Sequence, residues 1–206
     1  MQAEEIHRTS FIKRGVNLEY FTIAYNSLEG LIAIAAGLLA GSIALVGFGF
    51  DSVIEVTSGA ALLWRLHTDG EEEWRERAEA FTLRIVGVCF LVLALYVGYE
   101  AVSSLVYRES PARSVLGILL ALASLIVMPL LARAKRRVAQ GIDSEALRAD
   151  AKQTEFCTYL SAILLGGLLL NALLGWWWAD PLAALVMVPI IAKEGIEALR
   201  GDACGD

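Results

Sequence analysis

Apolar residues in this chain come in long uninterrupted blocks, not in the two-residue alternation of a half-buried strand. The blocks fall at residues 18–40, 42–65, 82–106, 113–133, 154–176 and 181–199. About 20 residues, rising 1.5 Å each as a helix, cross a hydrocarbon core about 30 Å thick. In lipid only helices and closed barrels satisfy their own backbone, and barrel strands would alternate. The pattern therefore predicts an all-α membrane protein, a bundle of six transmembrane helices forming a single transmembrane domain over residues 1–206. Blocks one and two meet at GLLAGS, which predicts a tight hairpin. The stretch ARAKRRVAQGIDSEALRADAK separates blocks four and five, and its second half reads as helix with Asp143 or Ser144 as N-cap. GWWWADP separates blocks five and six, with three tryptophans suited to an interfacial belt. The sixth block is the shortest. Its apolar part, Leu182 to Ala192, needs the amphipathic continuation KEGIEAL to cross, with Lys193 reaching towards the interface.

Charge then orients the bundle. With the N-terminus placed in the cytoplasm, every Lys and Arg of the 17 except Arg108 and Arg113 lies on the cytoplasmic side or at a flanking helix end. The positive-inside rule thus predicts both termini cytoplasmic and a multi-pass protein of the cell (inner) membrane. The composition agrees: 57% of residues are hydrophobic, 19% are charged, and the mean hydropathy is +0.58. A net charge of −6 says little about partners, and basic residues confined to helix ends give no nucleic-acid signature. Cys89 and Cys157 lie within apolar blocks and Cys204 in the tail, so no disulfide framework is expected. MQAEEIHRTS lacks the apolar core of a signal peptide, which leaves the first helix as the insertion signal.

Polar side chains within spans cost about 2.5–3.5 kcal/mol each on insertion scales and are functional candidates for that reason. They are Asn26 and Glu29 in span one, Asp51 and Glu55 in span two, Glu100 in span three, and Glu155 and Asn171 in span five. Glu100 and Asn171 lie near outer helix ends. Asp51 and Glu55 lie deeper, one helical turn apart on one face, where their mutual repulsion is relieved by a proton or a cation. A buried Lys or Arg could also neutralise them, but no basic residue is expected at their depth. In span five, Asp150, Gln153, Cys157 and Ser161 share a face. Cys157 as thiolate suits zinc or cadmium, whereas a Gln oxygen is a poor ligand for either; taken alone, a buried Cys is more often a packing residue. Gly37, Gly41, Gly47 and Gly49 read as close helix-packing positions. Glu71–Glu73, near His67 and Asp69, read as a solvated helix start. Glu155 points away from the Gln153/Cys157 face.

Two stretches resemble a known family. GSIALVGFGFDSVIEV, residues 41–56, is similar to the second-span motif of the cation diffusion facilitators, and SEALRADAKQTEFCTYLS, residues 144–161, to their fifth-span motif. Asn26, Tyr99–Glu100–Ala101 and Asp180–Pro181 match further positions. The resemblance implies metal ligands at Asp51, Glu55, Gln153 and Cys157, with Asn26, Glu29 and Asp150 as accessory or proton-coupling groups. It also departs from the family. Phe48 replaces an Asp, Gln153 and Cys157 stand for His and Asp, and no soluble C-terminal domain follows, which implies a short branch.

What the resemblance implies is an exporter of divalent cations, zinc or cadmium above iron, cobalt or manganese, that exchanges metal for protons at a midplane site by alternating access. It implies a homodimer with no prosthetic group and no enzyme activity. A metal sensor that binds without transport is the alternative. An intramembrane enzyme built on Cys157 would need a nearby base, and neither His7 nor His67 lies within a span.

Overall fold

The computed structural model describes the backbone of residues 2–67, 72–142 and 144–200, with side chains over 11–64, 84–141, 144 and 147–200. Asp69, Glu71, Asp143 and Cys204, and the side chains of His7, His67, Glu72 and Glu73, lie outside the described residues. Among the described residues six helices follow one another: α1 (Gln2–Ala40), α2 (Ile43–His67), α3 (Glu72–Tyr107), α4 (Val115–Ile142), α5 (Glu145–Leu174) and α6 (Ala179–Arg200). Five of them, all but α6, contain a stretch long and apolar enough to cross a membrane. In α6 the apolar run from Pro181 to Ala192 is bounded by Asp180 on one side and by Lys193 and Glu194 on the other.

The helices outrun the apolar blocks at one end of the bundle. α1 begins 16 residues before the expected residue 18, α3 begins at Glu72 and not at 82, α4 continues to Ile142 and not to 133, and α5 starts at Glu145 and not at 154. Hydropathy marks only the length that lipid covers. The flanking segments are rich in Glu, Arg, Lys and Ala, which favour helix without being apolar. Ser144 is the N-cap of α5, as one of the two expected candidates, and its side chain accepts from the Leu147 backbone N–H.

The short connections meet at the opposite end. Gly41, at φ 65°, makes the α1–α2 turn in a conformation that favours glycine, so it is a turn residue and not the packing position expected of it. The Ala112 N–H donates to the Ala40 carbonyl at 2.7 Å, and Asn171 Nδ2 donates to the Pro111 carbonyl at 3.1 Å. Asp180, in the first turn of α6, accepts from the Ser42 hydroxyl and from the Ile43 N–H at 3.0 Å, and so caps α2 from another helix. Asn171 and Asp180 are thereby accounted for as structural residues.

Within the bundle α1 packs along α2, α3 along α6 and α4 along α5, while α2 also touches α3, α5 and α6. The α1–α2 contact depends on missing side chains: a Cβ at Gly37 would stand 2.7 Å from Val46, and one at Gly49 2.7 Å from Ile34. Gly47 abuts Val97 in the same way. Phe48, at the position where the family pattern has Asp, is fully buried in an apolar core with Phe90, Met128, Leu164 and Met187. Large apolar side chains such as Leu31, Leu39, Leu95 and Leu173 face outwards, while Glu19, Asn26, Glu29, Asp51, Glu55, Lys135 and Asp150 are buried. Apolar outside and charged inside is the arrangement of a bundle whose solvent is lipid.

Candidate metal site

The site lies where α1, α2, α4 and α5 face one another. Asp51 and Glu55, one turn apart on α2, are both buried, as their spacing predicts. They turn to different partners. Asp51 faces α5, where the Cys157 thiol donates to Asp51 Oδ2 at 3.4 Å. Glu55 faces α1, where Asn26 Nδ2 donates to Glu55 Oε2 at 2.8 Å. Thr154 and Cys157 of α5 also lie beside Glu55. Glu29, one turn beyond Asn26, accepts from the Ser52 hydroxyl at 3.0 Å. Tyr25 and Ser124 face Glu29, and Ser124 accepts from the Ser161 hydroxyl at 3.0 Å.

Several oxygens here are left without donors. Asn26 Oδ1, Glu29 Oε1 and Glu55 Oε1 are buried and have no hydrogen-bond partner among the described residues. Removing an oxygen from water without a donor costs about 1–3 kcal/mol, more for a charged group. A cluster of such acceptors is suited to a cation or to protons. Gln153 Nε2, one turn before Cys157, is likewise buried and without a partner among the described residues. Among the described residues no three His, Cys, Asp or Glu side chains converge closely enough to enclose a metal ion. The four expected ligands thus lie on the facing helices α2 and α5, with Asp51 and Cys157 in direct contact and Glu55 held by α1.

Other sequence candidates fall elsewhere. Glu155 is partly exposed and forms an ion pair with Arg136, unlike the buried groups. Asp150 is buried but belongs to a second cluster, where it pairs with Lys135. That lysine corrects the expectation that no basic residue is buried near the carboxylates. Lys135 is fully buried on α4, with Nζ 3.2 Å from both oxygens of Glu19 and also bonded to Asp150 Oδ2. Its direct contacts are with Glu19 and Asp150, and from there its positive charge also acts on Glu55. The reason it escapes a hydropathy reading is its place at the end of an apolar block, where a lysine ordinarily reaches outwards to water. Glu19 was equally unmarked in sequence. Its seven-residue spacing to Asn26, two turns along one face of α1, is the signal that could have found it.

The cation efflux transmembrane domain profile matches residues 20–202. The chain belongs to the cation efflux family. Among curated relatives it is 29% identical over 175 residues to an uncharacterized transporter of Synechocystis, covering 82% of this chain and 56% of that protein. An uncharacterized transporter of Methanocaldococcus jannaschii is 26% identical over 182 residues, 85% of this chain and 64% of its own length. Transmembrane protein 163 of Xenopus laevis is 25% identical over 197 residues, 92% of this chain and 68% of that protein. The chain therefore spans less than two thirds of the two transporters. Cation efflux proteins are metal cation transporters and not enzymes.

Proposed function

We propose that the protein exports a divalent metal cation, zinc or cadmium in preference to harder ions, by exchange with protons. The observation that carries this reading is the contact of the Cys157 thiol with the Asp51 carboxylate, which brings a soft and a hard donor from facing helices to one point. Glu55 and Gln153 complete the ligand set. For Glu55 this requires exchanging the Asn26 amide for the metal, and for Gln153 it requires presenting its carbonyl oxygen. Both movements are side-chain rotations within a cluster that already contains unpartnered polar atoms.

Proton exchange follows from the donors. A thiol and two carboxylates bind metal only when deprotonated, so metal and protons compete for the same atoms. A site near mid-membrane that opens to one side and then to the other carries metal one way and protons the other. Asn26 and Glu29 form the α1 wall of that site, Asn26 releasing Glu55 and Glu29 accepting protons. The six helices all span, α6 included, with both termini cytoplasmic in the inner membrane, and two copies associate as a homodimer.

Purified protein in liposomes with an opposing proton gradient tests the proposal. Zinc or cadmium uptake, accompanied by proton movement in the other direction, should be seen with the wild type and lost in Asp51→Ala. Uptake unaffected by Asp51→Ala would remove the site from the transport path. Metal binding without flux would replace the transporter by a sensor.

A further inference from the structure

Seven residues separate Asn26 from Glu19 on α1, and seven separate Cys157 from Asp150 on α5. Each pair is two helical turns apart on one face, about 10 Å along the axis. The bundle therefore contains two polar layers. One holds Asn26, Asp51, Glu55 and Cys157. The other, towards the end carrying the α4–α5 connection, holds Glu19, Lys135 and Asp150. Thr22 and Thr154, both buried, lie between the layers on α1 and α5. On α2 the face of Asp51 and Glu55 continues one turn to Gly59, where a Cβ would stand 3.4 Å from Glu19 Oε2. The missing side chain leaves the carboxylates room.

The second layer is formally one negative charge in excess: two carboxylates share one ammonium. Glu19 and Lys135 are fully buried and Asp150 nearly so, and Asp150 Oδ1 has no hydrogen-bond partner among the described residues. The donors are all oxygen and come from two helices, a set that can hold a divalent cation through carboxylate oxygens, zinc and manganese included.

We infer that Glu19 and Asp150 form a second divalent-cation station, which the Lys135 ammonium occupies in this conformation. The inference rests on the transport reading above and extends it. A cation passing between the Asp51 layer and that end of the bundle displaces Lys135 and rests between the two carboxylates, and Lys135 returns when the ion moves on. The lysine is then an internal counter-ion that keeps the station from holding metal permanently.

The test is manganese binding followed by electron paramagnetic resonance, in protein whose Asp51 layer is disabled by Asp51→Asn. With Lys135 present, manganese should bind weakly. Asp51→Asn/Lys135→Gln should bind one manganese per chain at least tenfold more tightly, and adding Glu19→Gln or Asp150→Asn should abolish the gain. A folded double variant, helical and monodisperse, that binds no better than Asp51→Asn overturns the station. If the double variant does not fold, the weak site in Asp51→Asn protein carries the test: its loss on adding Asp150→Asn supports the station, and its persistence or its absence from the start overturns it. Zinc flux by the wild type is measured separately. Failure of flux with a manganese gain in the double variant would remove the transport reading and leave the station standing.

Discussion

Exchanging the Cys157 sulfur for oxygen, as in Cys157→Ser, keeps the volume beside Asp51 nearly constant but replaces a soft donor with a hard one. Zinc and cadmium transport should fall at least tenfold relative to manganese, equivalent to about 1.4 kcal/mol of lost discrimination. Competition uptake with paired metals in the same vesicles measures this directly, and an unchanged ratio would show that the thiol only packs. At this scale the sequence was legible where spacing alone decides burial. Asp51 and Glu55 sit too deep in an apolar block to reach water, and Cys157 falls on the face of α5 that meets them. Lys135 and Glu19 were not legible. Both lie near the ends of apolar blocks, where a charged side chain can equally well point to water or inwards, and only the packing of α1 and α5 against α4 decides. The split of Asp51 towards Cys157 and Glu55 towards Asn26 also depends on which helices flank α2, which periodicity on one helix does not contain.

Between elements, the α1–α2 hairpin positions Asn26 against Glu55 and Glu29 against Ser52. Its close approach depends on Gly37 and Gly49. Gly49→Leu forces a branched side chain against the Ile34 backbone and the Ala33 methyl, an overpacking that costs about 1–3 kcal/mol. The variant should melt at a lower temperature in detergent and lose transport, whereas a leucine at the outward-facing Tyr99 should do neither; equal melting of the two would deny the glycine its packing role. The elements themselves were readable as apolar blocks, because lipid imposes a minimum length on each. Their extensions were not, since helix beyond the lipid needs only helix-forming residues. The capping of α2 by Asp180 joins residues far apart in sequence and has no local signature beyond the Asp-Pro pair itself.

At the scale of the whole molecule, the connections at residues 41–42, 108–114 and 175–178 are bound together at one end by hydrogen bonds. The connection between α4 and α5 and the Lys135 cluster lie at the other end. This up-and-down arrangement fits the six alternating spans proposed above, and the distribution of Lys and Arg supports the proposed direction. A single cysteine placed at Pro111 in protein lacking its native cysteines should react with an impermeant reagent added to intact cells. One placed at Arg137 should react only after the cells are opened; the reverse would invert the molecule and turn export into import.

On the proposed mechanism α2 and α5 hold one transported cation between Asp51 and Cys157. Cadmium bound to a thiolate absorbs in the ultraviolet through a sulfur-to-metal transition, so the site can report its own occupancy. In Cys89→Ser/Cys204→Ser protein, where Cys157 is the remaining thiol, titration with cadmium should raise that band to an end point of one ion per chain. Adding Asp51→Ala should weaken the titration at least tenfold. A band that never appears, or one indifferent to Asp51, would contradict the account.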